Sequence, residues 1–600
     1  MLLQEWAKDI KILIKIINKK RRKQLLLAGF ISVIAAFLEI INIAFVSPYI
    51  KIITGEKIEN NFIINIFNLK DILFEKNVVI LISITFIGFI FITMLFRVLT
   101  IYIQFRLSAI IVSEIGLNIF EKSLKLPYEW HIKTNSNVIK SYLTKDLDNV
   151  TNYIQMLIMI LVNSILSIAI SGYLIFLYPL RMSIILSIVA MAYILIFIKI
   201  KTSLTNDGKL YSSDYQKTLK ISDEVINNYD FINISKTLSF FLKKFEIPNK
   251  SFRKMGANIN IKSQIPKYII ESFILISIII LTLIIFITNK TFKEELTFLS
   301  TVGLGIYKIL IPLQGIFTAI SGIQAYTPSF KKIYKLQNLK FPIKTKRKKV
   351  YQMDQNIFLE FKNVYFKYEN SNYHTLNNIN LKIKSGDKIG IVGYSGSGKS
   401  TFIKLLIGLL RPTKGNITFE NHNIFENENT ILNLHNQISY VPQEIFLCDS
   451  DIITNIGYGI ERDLIDFEKL ERCAKISQIQ DFINSLPYKY ESNIGEKGLS
   501  ISGGQRQRIG IARGLYKEHN LLVLDESLSA MDSINESNII NRLFKFYKNK
   551  TIVMVSHRLT SLKKCDSIIL FDRGNINDIG TFEDLKSRNK KFINLLQSSS

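Results

Sequence analysis

Cysteine is nearly absent: Cys448, Cys473 and Cys565 are the only three in 600 residues, all in the second half and none close to another. That spacing excludes a disulfide framework and the paired thiols of a zinc or redox motif, so the three read as reduced core or surface residues of a cytosolic region. Acidic residues are scarce beside basic ones, 49 against 76, for a formal net charge of +27. Such an excess can serve a nucleic-acid partner, but here the basic clusters flank apolar runs. Lys19, Lys20, Arg21, Arg22 and Lys23 precede the first of them, which favours membrane topology and no nucleic acid. No small-residue cleavage pattern follows that run, so the amino-terminal segment is expected to be retained.

What is plentiful is apolar: 48% of residues are hydrophobic, gathered into long runs in the first half. A chain of this length is expected to form at least two domains. Six runs are long enough to cross a bilayer as helices: Leu25–Ile50, Val78–Ile103, Met156–Tyr178, Met182–Ile198, Ile269–Thr288 and Leu296–Ile320. The basic cluster before the first places the amino terminus in the cytosol, and an even number of crossings returns the chain there. The product expected is a multi-pass protein of a cytoplasmic (inner) membrane. The Ile, Lys and Asn bias suggests an AT-rich, bacterial source.

Residues Gln4 to Asn18 carry Trp6, Ile10, Leu13, Ile14 and Ile17 on one helical face, which suits a helix in the membrane interface; packing on the cytosolic domain is the alternative. Charged, helix-compatible sequence separates the second from the third span and the fourth from the fifth. The helices are therefore expected to continue into the cytosol, with Pro127–Val150 and Asp223–Phe245 as arms. A basic linker follows, with Lys344, Lys346, Arg347, Lys348 and Lys349 near anionic headgroups. The expected domains are 1–24 (interfacial helix), 25–330 (membrane), 331–356 (linker) and 357–600.

From Ile357 onward short β-rich runs alternate with helical patterns, the mark of an α/β domain with a largely parallel sheet. Lys388–Val392 reads as a buried strand. It leads into Gly393-Tyr394-Ser395-Gly396-Ser397-Gly398-Lys399-Ser400 and a helix from Thr401 to Leu410. This is the G-x-x-x-x-G-K-[ST] phosphate loop in its strand-to-helix context. Its glycines let backbone N–H groups converge on phosphate oxygens, Lys399 supplies charge, and Ser400 would hold Mg2+. A second apolar strand, Leu521–Leu524, ends in Asp525 and Glu526. If it neighbours the first, Asp525 would act on magnesium and Glu526 would polarise the attacking water.

Ile501-Ser502-Gly503-Gly504-Gln505 resembles the signature of ABC ATPases, and the other motifs of that family follow in order. Tyr368 matches the aromatic that stacks on adenine, Gln443 the loop glutamine, and Ser529-Ala530-Met531-Asp532 the loop after the catalytic glutamate. His557 matches the switch histidine. Met531 stands where leucine is usual, and Ser527-Leu528 replaces a more frequent alanine-threonine pair. The resemblance implies an α-helical six-span transmembrane domain with long cytosolic extensions followed by an α/β P-loop ABC ATPase domain, working as a dimer on ATP and Mg2+. Each ATP would lie between one protomer's phosphate loop and the partner's signature, so that Ser502, Gly503, Gly504 and Gln505 act in trans. The partner expected is a second copy, with a similar half-transporter as the alternative. Asn493–Gly498, with Glu496, resembles the stretch that meets the arms in exporters.

Spans preceding the motor in one polypeptide are similar to the exporter branch. Phe37-Leu38-Glu39 through Pro48-Tyr49-Ile50, and Phe96-Arg97-Val98-Leu99 with Tyr102, resemble flippases of lipid-linked oligosaccharides. Ile306-Tyr307-Lys308 through Pro312 follows a third such pattern with lysine in place of arginine. Charges within spans usually face a cavity or a partner. Glu39 and Lys308 are expected either to pair or, for Lys308, to meet substrate. Arg97 is expected near the cytosolic end of its span, snorkelling to headgroups or meeting a pyrophosphate. Peptide and drug export are the rival cargoes. No cysteine precedes Cys448, which argues against a fused leader-cleaving cysteine protease. Intact Glu526 and His557 argue against a non-transporting regulator.

Overall fold

The computed structural model describes residues 17–54, 76–287, 292–338, 359–369, 371–495 and 501–599. Residues 4–16 of the expected interfacial helix, the basic linker cluster and Glu496 lie outside them. The described residues form two compact units, a helical one ahead of residue 340 and an α/β one after it.

Six long helices build the first unit: α1 (Lys19–Thr54), α2 (Lys76–Lys125), α3 (Leu147–Leu177), α4 (Pro179–Asn227), α5 (Leu238–Ile287) and α6 (Phe292–Gln337). Within the described residues, α1, α2, α4, α6 and the stretch Ser136–Leu177 are each long and apolar enough to cross a membrane. The expected fifth span falls on the carboxy-terminal part of α5. Helices α2 and α5 have 50 residues each, roughly 75 Å at the helical rise and far beyond the ~30 Å hydrocarbon core. The expected helical extensions are therefore present. Lipid as solvent also explains why Ile84, Ile87, Phe91, Val98 and Tyr102 of α2 are exposed. The α3–α4 turn is tight because Tyr178 leaves helical geometry and Pro179 opens the next helix at N1.

A π-helical turn, Tyr142–Asp146, leads into α3. The extra residue per turn leaves Asp146 buried between helices, where it accepts hydrogen bonds from Ser212 of α4 (3.2 Å) and Ser329 of α6 (2.7 Å).

The second unit has two sheets. An antiparallel one, ordered β2-β1-β4-β5, comprises β1 (Leu359–Phe366), β2 (Leu376–Ile383), β4 (Lys414–Phe419) and β5 (His422–Asn423). The central sheet, ordered β10-β9-β3-β8-β7-β6, comprises β3 (Lys388–Gly393), β6 (Ile438–Val441), β7 (Leu521–Asp525), β8 (Thr551–Val555), β9 (Ser567–Asp572) and β10 (Asn575–Gly580). It is parallel except at β9–β10. Every residue of β3, β7 and β8 is buried, as a parallel sheet covered on both faces requires. The acidic strand does not neighbour the phosphate-loop strand: β8 lies between β7 and β3, so the expected adjacency is corrected. In-register pairing of Asp525 with Val555 and of Val555 with Ile391 still brings the ends of β7, β8 and β3 to one edge.

Candidate nucleotide site and a buried charge cluster

At that edge β3 passes through the loop Gly393–Gly398 into helix α7 (Lys399–Leu406). Two glycines permit the loop. Gly398 has φ +105°, and a Cβ there would meet Leu376 at 2.7 Å; Gly393 has φ +154°, and a Cβ would meet the Phe571 carbonyl oxygen at 2.4 Å. The first N–H groups of α7 have no intrahelical acceptor and carry the positive end of its dipole. Lys399 is 5% exposed. Its Nζ donates to the carbonyls of Gly393 (2.7 Å) and Tyr394 (3.1 Å). Burial pulls its pKa down, with Glu526 and Asp525 opposing the shift.

A cavity of about 420 Å3 opens here, lined by Ser395–Thr401, Gln443, Glu526 and His557, with Thr375 as an additional member. Glu526 follows β7 with φ +50°, a conformation uncommon outside glycine that a surrounding structure must enforce. Gln443 Nε2 donates to Glu526 Oε2 at 2.6 Å, and His557 Nε2 lies 2.9 Å from Glu526 Oε1. Residues from three chain regions thus converge on one carboxylate. Asp525 is buried behind it. Burial raises its pKa, against the hydroxyl of Tyr440, which donates to Oδ2 at 3.2 Å.

Three expected site residues stand off the cavity wall. Asp525 is one, Gly393 contributes its carbonyl to Lys399, and Tyr368 lies with its hydroxyl 3.3 Å from Thr401 Oγ1. The signature residues are also not in the lining. They open helix α8 (Gly503–Tyr516), with Ser502 as N-cap in a reciprocal capping box: Gln505 N–H donates to Ser502 Oγ and Ser502 N–H to Gln505 Oε1. Ser502 and Gly503 are exposed, and the Ser502 hydroxyl, accepting in the box, retains its own proton to donate. Gln505 is engaged by the turn.

Several supporting residues carry no motif-level signal of their own. Gln507 of α8 bonds Ser529 Oγ and the Ala530 N–H. Arg558 ties the Met531 carbonyl to the buried Glu536.

The oxygen donors Ser400 Oγ, Gln443 and Asp525 suit a hard divalent cation such as Mg2+, and the open loop with its helix N-terminus suits phosphate.

In the helical unit, Glu39 of α1 is 1% exposed. Arg97 Nε of α2 lies 2.6 Å from its Oε1 and Lys308 Nζ of α6 3.0 Å from its Oε2, with the two cations 27% and 28% exposed. The Glu39–Lys308 pairing is as expected. Of the two alternatives for Arg97, snorkelling is corrected: Arg97 pairs with Glu39, because Thr93 and Arg97 share the face of α2 that meets Glu39 and Asn42 of α1. Asn42 donates to Thr93 there at 2.8 Å, and a carboxylate this deeply buried demands cationic partners. The cluster carries one net positive charge.

A helical, lipid-facing unit followed by a phosphate-loop α/β unit defines a membrane protein with an attached nucleotide-binding motor. The ABC transporter transmembrane region family matches residues 25–303 and the ABC transporter family residues 376–529. The chain belongs to the ABC transporters, with membrane region and ATPase fused in the order of exporters. Its fold is that of a bacterial Atm1-family ABC exporter with ATP bound, at TM-score 0.79 and 19% identity over 97% of this chain and 98% of that one. The lactococcin-G-processing and transport ATP-binding protein of Lactococcus lactis subsp. lactis is 37% identical over 249 residues, 41% of this chain and 35% of its own length. The ATP-dependent lipid A-core flippase 2 of Colwellia psychrerythraea is 29% identical over 393 residues, 65% of this chain and 66% of its own. The corresponding flippase of Wigglesworthia glossinidia brevipalpis is 26% identical over 483 residues, 80% and 81%. The chain thus spans about a third of the first of these relatives and about two thirds of the second.

Proposed function

We propose that this protein hydrolyses ATP to flip or export an amphipathic lipid, a lipid-linked oligosaccharide or similar molecule, across a bacterial cytoplasmic membrane, with the amino terminus and ATPase unit cytosolic. The observation that carries ATP hydrolysis is Glu526 held between Gln443 and His557 on the wall of the phosphate-loop cavity. On this reading Glu526 orients the attacking water and His557 and Gln443 hold its carboxylate in place. Lys399 exchanges its loop carbonyls for phosphate oxygens, which restore the full charge that burial disfavours. Tyr368 stacks on the adenine. Magnesium, held by Ser400, Gln443 and Asp525, would neutralise phosphate charge as it develops. The site is completed in trans by Ser502, Gly503 and Gly504 of a second chain, most simply an identical one, with Gln505 bracing that turn.

The lipid cargo is favoured by alignment length. Matches of 393 and 483 residues to lipid A-core flippases are too long to lie within residues 341–600 and so take in the membrane unit, whereas 249 residues to the lactococcin relative are not. Peptide export is the second reading, favoured by that relative's higher identity. The test is reconstitution of the full chain in vesicles with fluorescent lipid-linked oligosaccharide and, separately, labelled peptide. Vanadate-sensitive, ATP-dependent movement of the glycolipid is expected; movement of the peptide alone would overturn the lipid reading, and absence of ATPase activity the motor itself.

A further inference from the structure

Tyr440 belongs to no motif, yet it makes the one side-chain hydrogen bond to the Asp525 carboxylate among the described residues, 3.2 Å from its hydroxyl to Oδ2. The sheet explains the contact. Strands β6 and β7 are parallel with Tyr440 opposite Val523, and Asp525 is two residues further along the same face, a diagonal that a long aromatic side chain can span. Tyr440 does not line the cavity. It approaches Asp525 from the neighbouring strand, whereas Lys399, Ser400 and Gln443 are on the wall.

We propose that Tyr440 is a positioning residue for the metal: its hydroxyl donates to one oxygen of Asp525 and fixes the carboxylate plane, so that the other oxygen is left for the Mg2+ shell. This rests on Asp525 acting on magnesium. A metal-ligating carboxylate is ordinarily held by such an outer partner, and removing the partner typically weakens metal affinity about 10- to 100-fold. Tyr440 supplies that support from three residues ahead of Gln443, so β6 and the loop that leaves it deliver the brace on the buried aspartate and the cavity's glutamine in turn. The arrangement also restricts position 440, the one partly exposed residue of β6, to a side chain that can donate.

The experiment uses the full chain in nanodiscs and a non-hydrolysable ATP analogue, and measures the factor by which Mg2+ tightens analogue binding relative to EDTA. In Tyr440→Phe the EDTA affinity is expected to stay within twofold of wild type while the Mg2+ factor falls about 10-fold. In Asp525→Asn the factor falls further, and the double variant falls no further than Asp525→Asn alone, because the hydroxyl acts through that carboxylate. Installing 4-aminophenylalanine at position 440, which keeps a donor in place, restores the factor. An unchanged factor in Tyr440→Phe, or additive losses in the double variant, overturns the proposal. A Tyr440→Phe chain that no longer binds the analogue in EDTA has lost a structural group and also counts against it. If instead Asp525→Asn itself leaves the factor unchanged, the assignment of Asp525 to magnesium fails first.

Discussion

Glu526 shows how little a single side chain can be separated from its backbone. Its left-handed φ and its two partners hold the carboxylate on the wall of the phosphate-loop cavity, and on the proposed function it orients the attacking water without holding nucleotide. Glu526→Gln is therefore expected to leave ATP affinity within a few-fold of wild type while hydrolysis drops about 10²- to 10⁴-fold, trapping the closed dimer. Wild-type turnover in a single-turnover assay of that variant would remove Glu526 from the role. Lys388, at the start of β3, shows burial serving the fold alone. Its Nζ donates to the carbonyls of Gly386 and Lys550 at 2.7 Å and Lys548 at 3.4 Å. Burial lowers its pKa, with Asp566 and Asp387 opposing. Lys388→Met keeps the stem and strands three acceptors, so a loss of about 2–4 kcal/mol is expected in denaturant unfolding of the ATPase unit within the full chain. A change below 0.5 kcal/mol would show that water replaces the ammonium.

Between elements, the helical unit is held by polar contacts at two levels, one within the expected spans and one in the helical extensions beyond them. Glu39 joins α1 to α2 and α6 through Arg97 and Lys308, and Asp146 joins α3 to α4 and α6 through serine hydroxyls. Removing the shared anion leaves two cations, whereas removing one cation leaves a pair. Glu39→Gln is thus expected to cost about 3–5 kcal/mol and Lys308→Gln markedly less, read as the detergent-denaturant midpoint of the purified protein. The opposite order would mean that Arg97 alone is not an adequate partner for Glu39. The predicted arms fit the same level of description. Helices of 50 residues extend well past a bilayer, and the short helices Ser136–Ser141 and Tyr229–Ile234 fall in the segments whose charge density argued against a span.

For the whole molecule, the signature residues Ser502 and Gly503 are exposed and stand off the cavity wall, which is the feature the proposed sharing of the site between two chains rests on. Mixing Ser502→Arg protomers with Lys399→Ala protomers puts both defects into one composite site and leaves the other intact. ATPase activity near half that of wild type is expected in the mixed dimer, against almost none in either homodimer. A dead mixed dimer, or a monomer as fast per chain as the dimer, would refute sharing in trans. Cargo belongs to the same scale. Neutralising Arg97, Lys308 and Glu39 together, each to Gln so that no buried charge is left without its partner, is expected to reduce glycolipid flipping at least tenfold while basal hydrolysis persists. Lys308→Gln with Glu39→Gln removes the pair without leaving an excess anion; normal flipping there makes Lys308 structural.

The phosphate loop could be read directly because its parts are contiguous: the glycines, the lysine and the helix start are one local segment with one conformation. Spans were readable because crossing lipid is a requirement of length and polarity that a run either meets or fails. The order of strands in the central sheet was not, since interposing β8 between β3 and β7 changes no local spacing. Nor was the fate of Arg97. Its partner lies on another helix, and which charges meet depends on the rotation and depth at which α1, α2 and α6 pack. The contact between Tyr440 and Asp525, 85 positions apart, has the same character. Local chemistry follows from neighbouring residues and was determined by the sequence alone; pairing across elements depends on strand order, helix rotation and burial, which only the packed tertiary structure decides.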